Sequence, residues 1–154
     1  MNAIEILIAD SLAGSLTAVT LPGTISDITA VRTYVPDYTT EELSNLKVSV
    51  VPGGTEVTPH THGADLFEVE IHVVIGKRID TDADIDDLNE LRTNIVDAIR
   101  SRTLPASTPP MPTGVAWMNC SNATTYERDQ LTGSRVFLGD IVVTYRYANA
   151  KVTA

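Results

Sequence analysis

The sequence predicts an α+β protein, in which a mixed, mainly antiparallel β-sheet packs against one long helix and an N-terminal helix as a single-domain sandwich. Residues Leu66 to Ile75 alternate between apolar and polar side chains, which is typical of a strand with one buried face. Residues Asp82 to Arg102 repeat apolar side chains every three or four positions, which is typical of an amphipathic helix. The chain has 154 residues, the size of one domain, and we expect that domain to span residues 1–154.

The long strand and the long helix each have one apolar face, and we expect these faces to form the core together. Acidic residues crowd the start of the helix and arginines its end, as the helix dipole favours. The apolar face of the strand carries Phe67, Val69, Ile71, Val73 and Ile75, and its other face carries Glu68, Glu70 and His72. The apolar stripe of the helix consists of Ile85, Leu88, Leu91, Ile95, Ala98 and Ile99.

The first half of the chain is predicted to contain a helix and two shorter strands. Apolar spacing indicates a helix over residues 1–14 that ends at Gly14, serving either as a core helix or as a subunit-docking arm. A β-branched run, Ile28–Val35, predicts a strand, and Thr40 is predicted to cap a helical turn that follows it. Lys47–Val51 predicts a second strand, which we expect to end at Pro52-Gly53-Gly54 and to lead into a loop over residues 53–65.

The last third of the chain is predicted to contain a connector and two strands. Four prolines make residues 104–114 an extended connector within the domain. We expect strands over Val115–Cys120 and Ser134–Tyr147, with a turn at Tyr126–Leu131 between them. The last strand is predicted to place Phe137, Ile141, Val143, Tyr145 and Tyr147 on one face.

Charge and composition exclude several classes of function. The chain has 20 acidic and 11 basic residues, a net charge of −9, which argues against an independent nucleic-acid binder. A single cysteine, Cys120, excludes an internal disulfide, and we expect a buried thiol rather than a nucleophile. No apolar run is long enough to span a membrane, and the first residues lack the basic region of a signal peptide. We therefore expect an acidic, soluble domain made inside the cell.

Two motifs suggest metal binding, and neither completes its pattern. Asp80-Thr81-Asp82-Ala83-Asp84 resembles the start of an EF-hand loop, but the sixth and twelfth positions are Ile85 and Leu91 instead of Gly and Glu. These carboxylates are better explained as partners of the helix dipole. His60-Thr61-His62 resembles the histidine pair of a cupin, but the sequence supplies no further ligand at the expected spacing. A cupin-like metal-dependent enzyme that uses His60 and His62 is the weaker alternative, and we expect no metal, cofactor or catalytic residue.

The order of the predicted elements, together with a few sequence phrases, resembles the neck proteins of long-tailed bacteriophages, most closely the tail-terminator (tail-completion) type. The similarity covers about 100 residues from Leu46 to Tyr147 and, more weakly, the first helix, and the order of elements includes the strand that ends in Tyr34-Val35-Pro36. Its phrases are Tyr34-Val35-Pro36, Leu46-Lys47-Val48-Ser49-Val50-Val51-Pro52-Gly53-Gly54, Lys77-Arg78-Ile79-Asp80, Ile85-Asp86-Asp87-Leu88-Asn89-Glu90-Leu91, Ile95-Val96-Asp97-Ala98-Ile99, Trp117, and Phe137 with Val143-Thr144-Tyr145-Arg146-Tyr147.

The resemblance implies a non-enzymatic structural protein of the virion that forms a ring, usually a hexamer, in the neck. Such a ring caps the tail tube and joins the tail to the head connector or stopper protein. Its implied partners are itself, the tail-tube protein, the connector or stopper and, in a contractile tail, the sheath protein. Genomic DNA passes through without specific binding, and the ring assembles in the host cytoplasm with no membrane. A connector or stopper, or another virion structural protein, is the alternative.

Two sets of residues are candidates for these contacts. A net negative chain can supply a lumen that repels a sliding DNA duplex, because phosphate contacts would retard it. The candidate acidic lumen or surface residues are Glu68, Glu70, Asp80, Asp82 and Asp84. The candidate subunit or neck interface residues are Gly53, Gly54, Glu56, His60, His62 and Asp65.

Overall fold

The computed structural model describes residues 3–35, 38–39, 41–101, 104–106, 110–124, 133 and 135–150. Within them, two helices and a five-stranded mixed sheet form an α+β domain, as the sequence predicts. The elements in chain order are α1 (Ile4–Ala18), β1 (Ala30–Arg32), a short 3-10 turn (Glu42–Ser44), β2 (Lys47–Thr61), β3 (Ala64–Arg78), α2 (Asp82–Arg100), β4 (Val115–Thr124) and β5 (Val136–Ala150). The strands lie in the order β1-β2-β3-β5-β4. β1 is parallel to β2, and the other neighbours are antiparallel.

Both helices pack on the same face of the sheet, with α1 over β1 and β2 and α2 over β4 and β5. Alternate side chains of β3 and β5 point to these helices, so one face of each strand is buried, as predicted. The largest buried side chains of this core include Ile8, Leu12, Leu16, Ile71, Ile75, Leu88, Leu91, Ile95, Phe137 and Ile141. We refer to the other side of the sheet as the open face.

The strongest predictions are confirmed, and the start of α2 shows why a helix begins there. α2 covers Asp82–Arg100, while Arg102 lies outside the described residues. The Asp84 carboxylate accepts hydrogen bonds from the backbone N–H groups of Asp80 and Thr81, at 2.9 and 3.1 Å, in a capping box. Asp84 therefore has a structural role in starting the helix.

The predicted strand end at Pro52-Gly53-Gly54 and the predicted loop over residues 53–65 are wrong. β2 continues to Thr61 and forms a long hairpin with β3, closed by the two-residue turn His62-Gly63. The chain passes Gly53 and Gly54 as a β-bulge, because the pairing register shifts by one residue between Pro52 and Thr55. Proline is compatible with this strand because residues 51–61 have no described strand on their outer side.

Other predicted boundaries move by a few residues. α1 continues through Gly14 to Ala18, because tertiary contacts outweigh the cost of about 1 kcal/mol for a glycine inside a helix. Ser15 is buried there, and its hydroxyl donates to the carbonyl of Pro105 at 2.9 Å. The strand predicted over residues 28–35 is shorter, Ala30–Arg32, and the Ala30 N–H at its start donates to Thr17 Oγ1 at 3.0 Å. β4 and β5 both extend beyond their predicted ends, to 124 and 150.

Two predicted turns lie partly or wholly outside the described residues. Near the first, the Thr39 hydroxyl accepts from the Glu42 N–H at 3.2 Å. Thr40 itself and the turn predicted at residues 126–131 lie outside the described residues.

The segment around this short turn covers one end of the open face. Tyr38 Oη is 2.7 Å from the buried hydroxyl of Ser49, and the Leu43 side chain is buried next to Gly76. From His72 toward the hairpin tip, no described helix covers the open face, whose side chains are half-buried or exposed.

Candidate functional site

The candidate site is the part of the open face between His72 and the hairpin tip. The bulge at Gly53 and Gly54 adds one residue to β2, which exchanges the faces of the side chains that follow it, as far as the second register shift between Pro59 and Thr61. Glu56 consequently lies on the open face, directly across from Glu68. On the other side of β3, Glu68 pairs with Arg146.

Three glutamates surround a shallow depression on this face. The depression has a volume of about 380 Å³ and is lined by Gly54, Thr55, Glu56, Glu68, Glu70 and Thr144. Like charges directly opposite each other on neighbouring strands are destabilising, so the Glu56–Glu68 pair costs stability in the isolated chain. Only Arg146 among the described cations is paired in register with one of these three glutamates. The site is therefore a concentration of negative charge.

A histidine–aspartate pair borders the acidic depression, and sequence reasoning missed it. His72 Nδ1 lies 3.1 and 3.0 Å from the two carboxylate oxygens of Asp140, and His72 Nε2 lies 3.7 Å from Glu70 Oε1. The alternation in β5 could have placed Asp140 opposite the apolar face that begins with Phe137. No signal in the sequence shows that β5 is the neighbour of β3, so the pair could not be found.

The predicted interface residues are distributed along the hairpin. Gly54 and Glu56 line the depression, and the preceding Gly53 is so close to β3 that a Cβ atom there would be 2.7 Å from the carbonyl oxygen of Glu70. His62 lies in the turn at the tip, and Asp65 pairs with Pro59 near it. His60 lies in β2, and its side chain is outside the described set.

The predicted acidic residues separate into two groups at different places. Glu68 and Glu70 lie on the open face, whereas Asp80, Asp82 and Asp84 lie at the start of α2, beyond the other end of β3. The ten residue steps from Glu68 to Arg78 span about 33 Å of strand. The hydrogen bonds from the backbone N–H groups of Asp80 and Thr81 lower the pKa of Asp84. The five candidate acidic residues therefore lie at two separate places on the molecule.

The described residues give the site the character of a charged surface. No three His, Cys, Asp or Glu side chains in this part of the chain are placed to hold a metal ion. Cys120 is half-buried, and burial raises the pKa of its thiol. Tyr145 is buried, and burial raises the pKa of its phenol as well. The geometry is suited to electrostatic attraction or repulsion of another macromolecule.

Comparison of the sequence with protein-family models finds no match, and comparison with curated proteins finds none either. Neither of the two described helices is long and apolar enough to cross a membrane.

Proposed function

We propose that this chain is a structural protein of the neck of a long-tailed bacteriophage, a tail terminator that forms a ring on the end of the tail tube. The observation that best supports the proposal is the asymmetry of the sheet. Both described helices cover one face, and the other face presents Glu56, Glu68 and Glu70 to solvent toward the hairpin end. The sequence resemblance from Leu46 to Tyr147 independently favours this family.

The charge of the open face suits a surface that lines a DNA conduit. Each lysine or arginine on a phosphate releases counterions and contributes to affinity, so a basic lumen would hold the duplex. Carboxylates repel phosphates over about 8–10 Å at physiological ionic strength. In the proposed ring, the open face looks inward and the helices look outward, so that DNA slides past the glutamates.

The hairpin of β2 and β3 gives the ring a feature that extends along its axis. β2 and β3 are both 15 residues long, and at about 3.3 Å per residue each extends for about 50 Å. Toward the tip, Val57 and Phe67 lie beyond the strongly buried part of the helix-side face. We propose that the hairpin tip contacts the tail tube or the connector, with the virion neck as the protein's location.

Electron microscopy of the purified protein, alone and mixed with tail tubes of the same virus, tests this function. The expected result is a ring, six-fold if the family pattern holds, on one end of each tube. A ring that binds the connector and ignores tubes would indicate a connector or stopper instead. A monomer that binds neither would refute the neck assignment.

A charge-reversal pair tests the role of the open face. Glu56→Lys/Glu68→Lys rings should retain duplex DNA at low salt, whereas wild-type rings should not, because each reversal adds a potential phosphate contact. Asp82→Lys/Asp86→Lys is the matched control, since it changes the net charge equally at the α2 start. Equal DNA retention by both variants, measured by filter binding across a salt series, would show that the open face does not line the conduit.

A further inference from the structure

The exposed apolar side chains are concentrated at the two edges of the sheet. Val31 lies in edge strand β1, Tyr34 and Val35 lie two and three residues past its end, and Val57 lies in the part of β2 beyond β1. Met118 lies in β4, the strand at the opposite edge. These five are the large apolar residues with exposed side chains in the described chain, at 55, 64, 70, 51 and 40 %. Apolar side chains that collect on edges, where backbone groups are unpaired, mark contacts with another chain.

The backbone at both edges is available for pairing. β1 pairs only with residues 48–50 of β2, so the outer side of residues 51–61 has no described strand beside it. β4 likewise has a described strand only on the β5 side. Pro52 and Pro59 have no N–H to donate, which limits pairing on β2 to the segment between them.

The direction of the two edges fits a head-to-tail contact. Three antiparallel steps lead from β2 through β3 and β5 to β4, so β2 and β4 run in opposite directions. Rotation about an axis along the strands keeps these directions. β2 of one copy therefore meets β4 of the next copy antiparallel, which is the pairing that forms the more stable ladder.

The side chains of the two edges also match in their position along the strands and in the face of the sheet on which they lie. Val57 pairs with Phe67, Phe67 with Tyr147, and Tyr147 with Val115, so all four lie at one level on the helix side. One residue away on the open face, Glu56 lies level with Ala116. Joining the edges places the exposed Val57 beside Val115 of the next copy, as an apolar cross-strand pair.

We propose that the β2 edge between Pro52 and Pro59 pairs with the β4 edge of a second copy of this chain, and that this contact, repeated around an axis, builds the ring. The inference rests on the proposed function. The interface is heterologous, because it joins two different surfaces, and such contacts close into a ring when the rotation is right. The sheets of successive subunits then become continuous, and every open face turns to the same side.

Cysteine cross-linking tests the pairing directly. In a Cys120→Ser background, Val57→Cys/Val115→Cys should form a ladder of covalent oligomers on mild oxidation. Within one chain, these positions are three strand spacings, about 14 Å, apart, too far for a disulfide. A flexible bis-maleimide is used in parallel as a longer cross-linker. If the two strands pair with an offset of two residues, the partner cysteine moves by about 7 Å along the strand, too far for a disulfide.

The control variant keeps position 57 and moves the second cysteine to the opposite face. Val57→Cys/Ala116→Cys should give far less of the oxidised ladder, because adjacent strand residues point to opposite faces. Val57→Lys should keep its secondary structure by circular dichroism and self-associate about tenfold or more weakly in sedimentation.

The results separate this proposal from the ring itself. A ladder from the same-face pair, with little from the control, supports edge pairing. Rings in the microscope with no ladder by either reagent would overturn edge pairing and leave the neck function standing. Equal ladders from both pairs, or unchanged self-association of Val57→Lys, would also overturn edge pairing. Monomers without rings or ladders would overturn both proposals.

Discussion

Two neighbouring glycines in the bulge of β2 should respond in opposite ways to the same small change. A Cβ atom on Gly53 would lie 2.7 Å from the carbonyl oxygen of Glu70 and 3.1 Å from Cδ2 of His72. A Cβ atom on Gly54 would meet nothing within 4 Å. Neither glycine has a positive φ, so the difference between Gly53→Ala and Gly54→Ala arises from the close approach to β3.

The expected magnitude follows from this contact. Overpacking against a backbone atom that cannot move aside costs about 1–3 kcal/mol, so Gly53→Ala should lower the free energy of unfolding by that amount. Gly54→Ala should raise it by up to about 1 kcal/mol, because alanine reduces the entropy of the unfolded chain. The two variants should therefore differ by about 1–4 kcal/mol, or roughly 2–16 °C in unfolding temperature.

Urea unfolding followed by far-UV circular dichroism measures the difference. All proteins must be compared at one subunit concentration, since self-association stabilises the folded state by mass action. If the free energies of unfolding of Gly53→Ala and Gly54→Ala agree within about 0.5 kcal/mol, the reasoning about the bulge is refuted.

Three other predictions concern ionisable groups. Asp84→Ala should lower the unfolding temperature at neutral pH more than Asp86→Ala does. Because the pKa of Asp84 is lowered in the folded protein, this difference between the two variants should shrink as the pH falls below 3.8. A difference that does not depend on pH would contradict the prediction. A double-mutant cycle with His72→Ala and Asp140→Ala should give a coupling of about 0.2–1 kcal/mol in urea unfolding, and no coupling would mean that the pair contributes nothing. Because burial raises the pKa of Tyr145, the fold favours its neutral form, and stability should decline as the pH rises above the ordinary value of 10.0. Tyr145→Phe should decline less over that range in thermal unfolding, and an equal decline would refute the assignment.

Sequence periodicity predicted the parts of the fold in which one face of an element is buried. The apolar stripe of α2 and the alternation in β3 depend on local spacing, and tertiary structure reinforced both. Boundaries failed where a tertiary contact decided them. Sequence signals would end α1 at Gly14, but the helix continues through Ser15. The Ser15 hydroxyl donates to the carbonyl of Pro105, 90 residues away, and no local sequence signal shows this contact.

The candidate site was only partly predictable for a related reason. Glu68 and Glu70 could be placed on the polar face of β3 by counting residues. Their neighbours Glu56 and Asp140 come from strands whose order and register are long-range properties of the sheet. Asp80 and Asp82 lie apart from the glutamates because most of β3 separates the hairpin end from the start of α2.

The bulge in β2 explains why the predicted strand end at Pro52-Gly53-Gly54 is wrong, and both proposals depend on it. Pro52-Gly53-Gly54 has the composition of a strand end. On an edge strand, however, the missing N–H of Pro52 costs little, and the missing Cβ of Gly53 lets β2 approach β3 closely. With perfect pairing from Val50 onward, Glu56 would lie on the helix side and Val57 on the open face. The single extra residue exchanges them. It adds a third glutamate to the depression on the open face and places an apolar side chain level with Val115 on the helix side. The acidic surface and the proposed subunit contact therefore depend on the same two glycines, so a change in the bulge should alter both together.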